Sequence, residues 1–229
     1  FYKWPQYHSH ISEDLQKFCL GADFNHWNLG DLYDSVPQKY AQKMGCQFGI
    51  FVNSGTAGLH AALMACGLKP GDEVIVPAMT FIRSVTPLAH LQLVPVLVDV
   101  DPATGNICPE AVKNAIIFKT KAVIAVHMWG IPSDCVALKD ICDRAGISLI
   151  EDCSHAHYSE CEGAPVGSFG RVSFLSLQRK KTLSGILHCS LKRQPTRVEG
   201  KLKTPAATKF EGFESTPSST ASLNPVKNF

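Results

Sequence analysis

The chain has 229 residues, of which 45% are hydrophobic and 18% charged, and its formal net charge is +2. This apolar content is enough for a real core, and the length suits one large domain or one and a half ordinary ones. Seven of the 22 basic residues but only three of the 20 acidic residues lie beyond residue 185. The first 185 residues are therefore slightly acidic, which excludes a nucleic-acid-binding body of the strongly basic kind.

Cysteine usage and hydropathy bear on the compartment. The nine cysteines are scattered without a Cys-x-x-Cys pair, and several lie inside apolar segments, where cysteine behaves as a small hydrophobic residue. No apolar run reaches membrane-spanning length, and the first residues do not form a signal peptide. These features predict a protein without membrane contact in a reducing compartment, the cytoplasm.

Strand and helix patterns alternate along most of the chain. Residues 36–44 read as a short amphipathic helix that opens near Pro37. From residue 49 onwards, amphipathic helical patterns separate short apolar runs at 50–52, 73–76, 94–98, 122–126, 147–150 and 172–177. Strands that are apolar throughout predict an α/β fold with a mostly parallel sheet and helices on both faces. Ligands of such sheets bind at the carboxyl ends of the strands.

The composition changes after Gly185. Residues 190–229 are rich in Ser, Thr, Pro, Lys and Gly and show no sustained hydrophobic period, which is typical of disorder. We therefore predict an N-terminal arm at 1–48, an incomplete large domain at 49–185, and a divergent, disordered tail at 186–229.

An acid and a lysine follow two of the apolar runs. Asp152 ends one run, and Lys181 comes shortly after the other. Pyridoxal phosphate (PLP) needs such a pair, because a lysine binds its aldehyde and an acid keeps its pyridine nitrogen protonated. Asp152 could instead be a capping or surface aspartate. Lys181 and its basic neighbours could be a solvated cluster or a weak nuclear-localisation-like patch.

Two further motifs follow apolar runs nearer the N-terminus. Ser54-Gly55-Thr56 stands where a strand passes into a helix, so its N–H groups and hydroxyls could bind a phosphate. An ordinary helix cap by Ser54 or Thr56 is the alternative. Phe81 could stack on a planar ligand, or it could belong to the core.

Taken in order, these motifs resemble those of the DegT/DnrJ/StrS family of PLP-dependent sugar aminotransferases, over roughly residues 1–184. The resemblance implies the large domain of a PLP-dependent transferase of fold type I. It also implies site roles: Lys181, rather than Lys180, as the catalytic lysine, Asp152 at the pyridinium nitrogen, and the remaining positions around the phosphate and the ring, namely Gly55, Thr56, Ser176, Phe81 and His155. His155 would lie near the phenolic oxygen of the cofactor, where the family often has glutamine.

The resemblance further implies transfer of an amino group from glutamate or glutamine to a keto-sugar nucleotide or related cyclic ketone, by a homodimer if the protein is complete. The family continues after its lysine with Gly-Glu-Gly-Gly and a small C-terminal domain. Here Thr182-Leu183-Ser184-Gly185 is followed by a different sequence. We therefore expect a truncated enzyme that lacks the small domain and is inactive for that reason, or a non-catalytic PLP-fold remnant or binding protein.

A third hypothesis concerns metal. Cys153, His155 and His157 are spaced by two and could bind zinc as a hydrolase centre, although no fourth ligand lies nearby. The resemblance to the aminotransferases favours a site without metal.

Overall fold

A computed structural model describes residues 31–177 and 188–192, together with the helical positions Glu13 and Gln16. The strands are β1 (Phe48–Val52), β2 (Glu73–Pro77), β3 (Val94–Val98), β4 (Thr120–Val126), β5 (Ser148–Asp152), β6 (Glu160–Cys161), β7 (Ala164–Pro165), β8 (Val172–Leu175) and β9 (His188–Lys192). The helices are α1 (Asp31–Lys43), α2 (Gly55–Ala65), α3 (Thr86–His90), α4 (Pro109–Ala115) and α5 (Cys135–Ala145), with 3₁₀ turns at Ile82–Ser84 and Met128–Gly130. None of these described helices is long and apolar enough to cross a membrane.

Seven of these strands form one sheet in the order β1-β9-β8-β5-β4-β2-β3. The five strands from β8 to β3 run parallel, whereas β9 is antiparallel to both β1 and β8. The predicted α/β fold with a mostly parallel sheet is therefore confirmed. The short hairpin of β6 and β7 stands apart from this sheet and had no counterpart in the sequence prediction.

Strand β9 lies within the segment 186–229, for which the sequence predicted disorder. Its backbone pairs with Phe48–Val52 on one side and with Val172–Leu175 on the other. Backbone hydrogen bonds on both edges need no apolar period, which is why the composition of this segment did not reveal a strand. At residues 188–192 the structure thus differs from the expectation. The rest of the segment lies outside the described residues.

Helix α1 begins at Asp31, several residues before the predicted start near Pro37. Proline at the first turn is the usual pattern, and it suggested the later start. Here Pro37 stands inside the helix and is buried, where its ring removes one backbone hydrogen bond. The buried Ala41 and Met44, with the part-buried Tyr40, contribute to one hydrophobic cluster.

The hydrophobic core lies on both faces of the sheet. Along β4, Ile124 and Val126 contribute to the cluster that also contains residues of α2 and α3. Val123 and Ala125 contribute to the cluster that contains residues of α4 and α5. This alternation is the period of two expected of a strand, and burial of both faces explains why the run is apolar throughout.

The same alternation divides the acidic pair at the end of β5. Asp152 shares its face with Ile150 and α2, whereas Glu151 shares its face with Leu149 and α5. The separate hydrogen-bond partners of Glu151 and Asp152 agree with this division. The two neighbouring carboxylates thus lie on opposite faces of the sheet.

Glu151 is fully buried and is satisfied by hydrogen bonds. Its carboxylate accepts the N–H groups of Gly167 at 2.7 Å and Gly170 at 2.5 Å, and His127 Nε2 lies 3.3 Å away. His127 Nδ1 accepts the N–H of Ser133, so Nε2 carries the hydrogen that is donated to Glu151. One carboxylate thus holds the loop after β7 against strands β4 and β5.

These contacts also set the charge state of Glu151. Burial alone would raise the pKa of Glu151, but the hydrogen bonds from His127, Gly170 and Gly167 outweigh it and hold that pKa below its ordinary value of 4.5. The folded chain therefore releases this proton more readily than the unfolded chain does. Ionised Glu151 stabilises the fold above the unfolded-state pKa, and this stabilisation is lost as the pH falls through the folded-state pKa.

We predict that Glu151→Gln lowers the free energy of unfolding near neutral pH by about 2–4 kcal/mol. Because glutamine does not titrate, the variant should also lose part of the decline in stability that the unsubstituted chain shows below about pH 4.5. Urea unfolding over a series of pH values measures both effects. Glu160→Gln, at an exposed position, is the matched control. Equal losses in the two variants would contradict the prediction.

Candidate functional site

The floor of the candidate site is a row of side chains across three adjacent parallel strands. Val126 is paired with Asp152, and Asp152 with Phe174, in the register of β4, β5 and β8. These three side chains lie on the same face of the sheet, at or near the carboxyl ends of the strands. A site at this edge agrees with the position predicted from the sequence pattern.

Above this floor lies a cavity of about 510 Å³, within the range typical of small-molecule sites. Six residues that the sequence analysis assigned to cofactor binding line this cavity: Gly55, Thr56, Phe81, Asp152, His155 and Ser176. The other lining residues are Ser54, Arg83, Ser84, Val126, Met128, Ser154 and Phe174. The seventh predicted residue, Lys181, lies outside the described residues.

The N-terminus of helix α2 forms one wall of the cavity. Ser54 is the N-cap residue, and its Oγ accepts the N–H of Ala57 at 3.1 Å. The cap proposed as the alternative function of this motif is therefore present. Because the first N–H groups of a helix have no intrahelical acceptor, those of Gly55 and Thr56 can still bind an anion. Capping and ligand binding thus use different atoms of the same turn.

Two glycines bring this helix close to β8. A Cβ atom at position 55 would lie 3.3 Å from Cβ of Ser176, and one at position 58 would lie 3.2 Å from Cβ of Phe174. Larger side chains at Gly55 or Gly58 would push the helix away from the strand. The glycines therefore place Ser176 beside the helix N-terminus, at the same end of the cavity.

Asp152 is only 4% exposed, so it is not a surface aspartate. Its Oδ2 accepts the hydroxyl hydrogen of Ser84 at 2.8 Å, and its Oδ1 accepts the N–H of Ser154 at 3.0 Å. Within the described part of the chain, no cationic side chain forms an ion pair with it. A buried carboxylate without a cation is costly, so a cationic ligand in the cavity would be stabilised here.

Two ring side chains, Phe81 and His155, could contact a ligand in the cavity. Phe81 is 55% exposed and lies at the cavity, which rules out the alternative that it belongs to the core. His155 also lines the cavity. A planar ligand could contact both side chains.

The zinc hypothesis is not supported by the surroundings of its proposed ligands. Burial, followed by the charges of Glu151 and Asp152, raises the pKa of the Cys153 thiol well above its ordinary value, and zinc binds the thiolate. His157 uses both ring nitrogens in contacts with the hydroxyl of Tyr40 and the carbonyl of Ser176. Only His155 of the three lines the cavity.

Sequence reasoning missed Ser84, Ser154 and Arg83. Ser84 and Ser154 hold the two oxygens of Asp152, but serine is common after strands and nothing in its spacing singles it out. Arg83 follows Phe81 by two residues, and an arginine so close to a predicted ligand-stacking aromatic was a signal that could have been used. A short 3₁₀ turn, Ile82–Ser84, carries both Arg83 and Ser84 to the cavity.

Residues 9–186 match the DegT/DnrJ/EryC1/StrS aminotransferase family. The chain is 46% identical over 188 residues to L-glutamine:2-deoxy-scyllo-inosose aminotransferase of Streptomyces kanamyceticus, across 79% of this chain and 44% of that protein. It is 37% identical over 185 residues to 3-amino-5-hydroxybenzoate synthase of Amycolatopsis mediterranei, across 80% of this chain and 47% of that protein. The solved structure of an aminotransferase from Psychrobacter cryohalolentis matches with a TM-score of 0.79 at 31% identity, across 85% of this chain and 49% of that one.

The fold is thus that of an aminotransferase large domain. The chain belongs to the DegT/DnrJ/EryC1/StrS aminotransferase family, as the order of its motifs predicted. It spans about half the length of the curated relatives that it matches.

The described residues fit PLP, the cofactor that the family implies. A phosphate is matched by the N-terminus of α2 together with Ser176, and a protonated pyridine nitrogen by the buried Asp152. Both features lie in one cavity, which therefore suits a phosphorylated heteroaromatic cation.

We predict that Asp152→Asn stabilises the ligand-free chain, raising the free energy of unfolding by about 1 kcal/mol. Asparagine can accept the N–H of Ser154 and donate to the hydroxyl of Ser84, but it brings no charge into the buried site. Thermal unfolding without ligand measures the effect.

Asp152→Ala is the comparison for this measurement, since it removes the charge but leaves the two donors without their acceptor. It should lower the unfolding midpoint. A midpoint that falls equally in Asp152→Asn and Asp152→Ala would show that the charge itself is not the unfavourable feature.

Proposed function

We propose that this cavity binds PLP and that the chain contributes to an aminotransferase that moves an amino group from glutamine or glutamate to a keto-sugar nucleotide or a related cyclic ketone. The observation that carries the proposal is the Asp152 carboxylate, which is buried, fixed by two hydrogen-bond donors and open to the cavity. Such a group is suited to hold a pyridine ring in its protonated form.

Each of the remaining described site residues has a role in this proposal. The N–H groups of Gly55 and Thr56 and the hydroxyl of Ser176 would bind the phosphate, with the positive end of the α2 dipole behind them. Phe81 would stack on the ring, and His155 would contact its phenolic oxygen. Asp152 would accept the hydrogen of the pyridinium nitrogen, with Ser84 keeping its carboxylate oriented.

Lys181 would anchor the cofactor through Nζ. Its assignment rests on the Ser-Leu-Gln-x-x-Lys spacing that begins at Ser176 and on the family, since it lies outside the described residues. When bound, PLP supplies an electron sink for the carbon that carries the amine. Lys181 Nζ would then move a proton between that carbon of the substrate and C4′ of the cofactor, as general base and acid.

Substrates and assembly are proposed from the relatives. Two relatives, L-glutamine:2-deoxy-scyllo-inosose aminotransferase of Streptomyces kanamyceticus and GDP-perosamine synthase of Vibrio cholerae, are named for a cyclic ketone and a sugar nucleotide. We propose that the protein is cytoplasmic and works as a homodimer. Ile82 lies next to the cavity-lining residues Phe81 and Arg83 and is 68% exposed, and a partner chain would cover this apolar side chain.

The first test is cofactor binding. PLP added to the purified full chain should produce the visible absorption band of the lysine-bound cofactor. We predict that Lys181→Ala abolishes this band and that the neighbouring Lys180→Ala, the matched control, retains it. A band that depends on Lys180 instead, or no band in the unsubstituted chain, would contradict the assignment.

Turnover separates the enzyme from a binding protein. A chain that binds PLP at Lys181 but shows no amino transfer from glutamine or glutamate would favour the non-catalytic alternative. Conversion of the bound cofactor to its amine form by glutamine would favour the aminotransferase.

Arg83 is the proposed contact for the amino-acid donor. It is exposed and lines the cavity beside Ser84. Among the described residues no acidic side chain pairs with it. An amino-acid donor brings a carboxylate, and arginine can bind a carboxylate with two parallel hydrogen bonds.

We predict that Arg83→Ala weakens glutamine binding to the PLP-loaded chain by about 10-fold or more, as expected for loss of a charge-assisted hydrogen bond. Arg83→Lys should fall between, because it keeps the charge but not the planar fork. Titration of the cofactor spectrum with glutamine gives the dissociation constant.

Arg144→Ala is the control for this series, since Arg144 pairs with Asp140 on the exposed side of α5. It should leave both glutamine and PLP binding unchanged. If Arg83→Ala weakens PLP binding and leaves glutamine binding intact, Arg83 serves the phosphate and not the donor.

A further inference from the structure

A chain of hydrogen bonds connects helix α1 to Ser176, the residue that follows strand β8. The hydroxyl of Tyr40 lies 2.6 Å from Nδ1 of His157, although the two residues are 117 positions apart. Nε2 of His157 lies 3.0 Å from the main-chain carbonyl oxygen of Ser176. His157 is 6% exposed and Ser176 is 7% exposed, so the bond between them is buried, whereas the bond from Tyr40 to His157 is part-buried.

The chemistry of the three groups gives the connection a direction. A carbonyl oxygen can only accept, so Nε2 of His157 carries the hydrogen and donates it to Ser176. In the neutral ring Nδ1 is then an acceptor, which receives the hydroxyl hydrogen of Tyr40. The Tyr40 hydroxyl thereby selects the tautomer in which His157 can hold the Ser176 peptide.

The peptide that His157 holds belongs to a residue of the proposed phosphate site. Ser176 lines the cavity, and its Cβ lies so close to Gly55 that a Cβ there would be 3.3 Å away. A shift of the Ser176 backbone would therefore move its hydroxyl relative to the N–H groups at the start of α2. His157 itself is not among the described residues that line the cavity, and its bond to the Ser176 carbonyl is a route by which it can affect a ligand.

We infer that His157 is a positioning residue for phosphate binding and that Tyr40 fixes the tautomer in which it acts. This inference rests on the proposed PLP site, and it adds to that site two residues that would not touch the cofactor. The phosphate end of the site then depends on helix α1, through the hydroxyl of Tyr40. Substitution of Tyr40 by phenylalanine would remove that hydroxyl and keep the ring.

A positioning role of this kind makes a specific demand on ligands. Pyridoxal has the same ring and aldehyde as PLP but no phosphate group. Loss of the Tyr40 hydroxyl should therefore weaken the binding of PLP and leave the binding of pyridoxal unchanged. A general loss of stability would weaken the binding of both ligands.

The experiment measures dissociation constants of PLP and pyridoxal for the full chain by absorbance titration, with competition by inorganic phosphate as a second probe. Tyr40→Phe should weaken PLP binding by about three- to tenfold, the range for one hydrogen bond, with pyridoxal changed less than about twofold. His157→Gln, whose amide can still donate to Ser176, should lose less PLP affinity than His157→Phe. Tyr158→Phe is the control, because Tyr158 packs against the Tyr40 ring and is 49% exposed.

Three outcomes would overturn the inference: equal weakening of PLP and pyridoxal, no change in Tyr40→Phe, or the same change in Tyr158→Phe. The unfolding midpoint of each variant shows whether it has folded, and Tyr40→Phe carries the test if His157→Phe has not. If the unsubstituted chain binds no PLP, the proposed function fails, and the positioning role fails with it. PLP binding that is unaffected by Tyr40→Phe refutes the positioning role alone.

Discussion

The constraint on which the site depends is the burial of one carboxylate. Asp152 is 4% exposed at the end of β5, and Ser84 and Ser154 hold its two oxygens in place. The neighbouring Glu151 is buried as well, but four groups surround it, and its charge is matched by hydrogen bonds inside the protein. Asp152 has fewer internal donors and faces the cavity. The contrast between the two acids separates the structural group from the one that we propose binds a ligand.

The parallel sheet explains how residues far apart in the sequence meet. Alternation along β4, β5 and β8 places Val126, Asp152 and Phe174 in one row. Helix α2 approaches that row because Gly55 and Gly58 present no side chain to β8. Strand pairing and helix packing therefore bring the three residues of the row to the site. No short stretch of sequence contains them all.

Much of this arrangement could be predicted from the sequence. The apolar runs gave the parallel strands, and the order of the motifs gave the family and six residues that line one cavity. These residues follow predicted strands, and ligands of a parallel sheet bind at the carboxyl ends of its strands. Their positions in the sequence therefore indicated where the site would lie. The role of each remains a prediction, and Lys181 lies outside the described residues.

Other features were beyond sequence reasoning for physical reasons. Strand β9 forms through backbone bonds on both edges, which leave no hydrophobic period to detect. The start of α1 was misplaced because Pro37 sits inside the helix, against its usual preference. The roles of Ser84 and Tyr40 follow from hydrogen bonds to residues 68 and 117 positions away. Such contacts form only when the chain folds.

The central claim is that Asp152 keeps the pyridine nitrogen of bound PLP protonated. Its most direct measurement is the nitrogen-15 NMR chemical shift of PLP labelled at that nitrogen, bound to the full chain and followed through the alkaline range. The predicted result is a protonated nitrogen in the unsubstituted chain at pH values where the free cofactor has lost its proton, and a neutral one in Asp152→Asn. A nitrogen that is neutral in both, or protonated in both, would contradict the role given to Asp152.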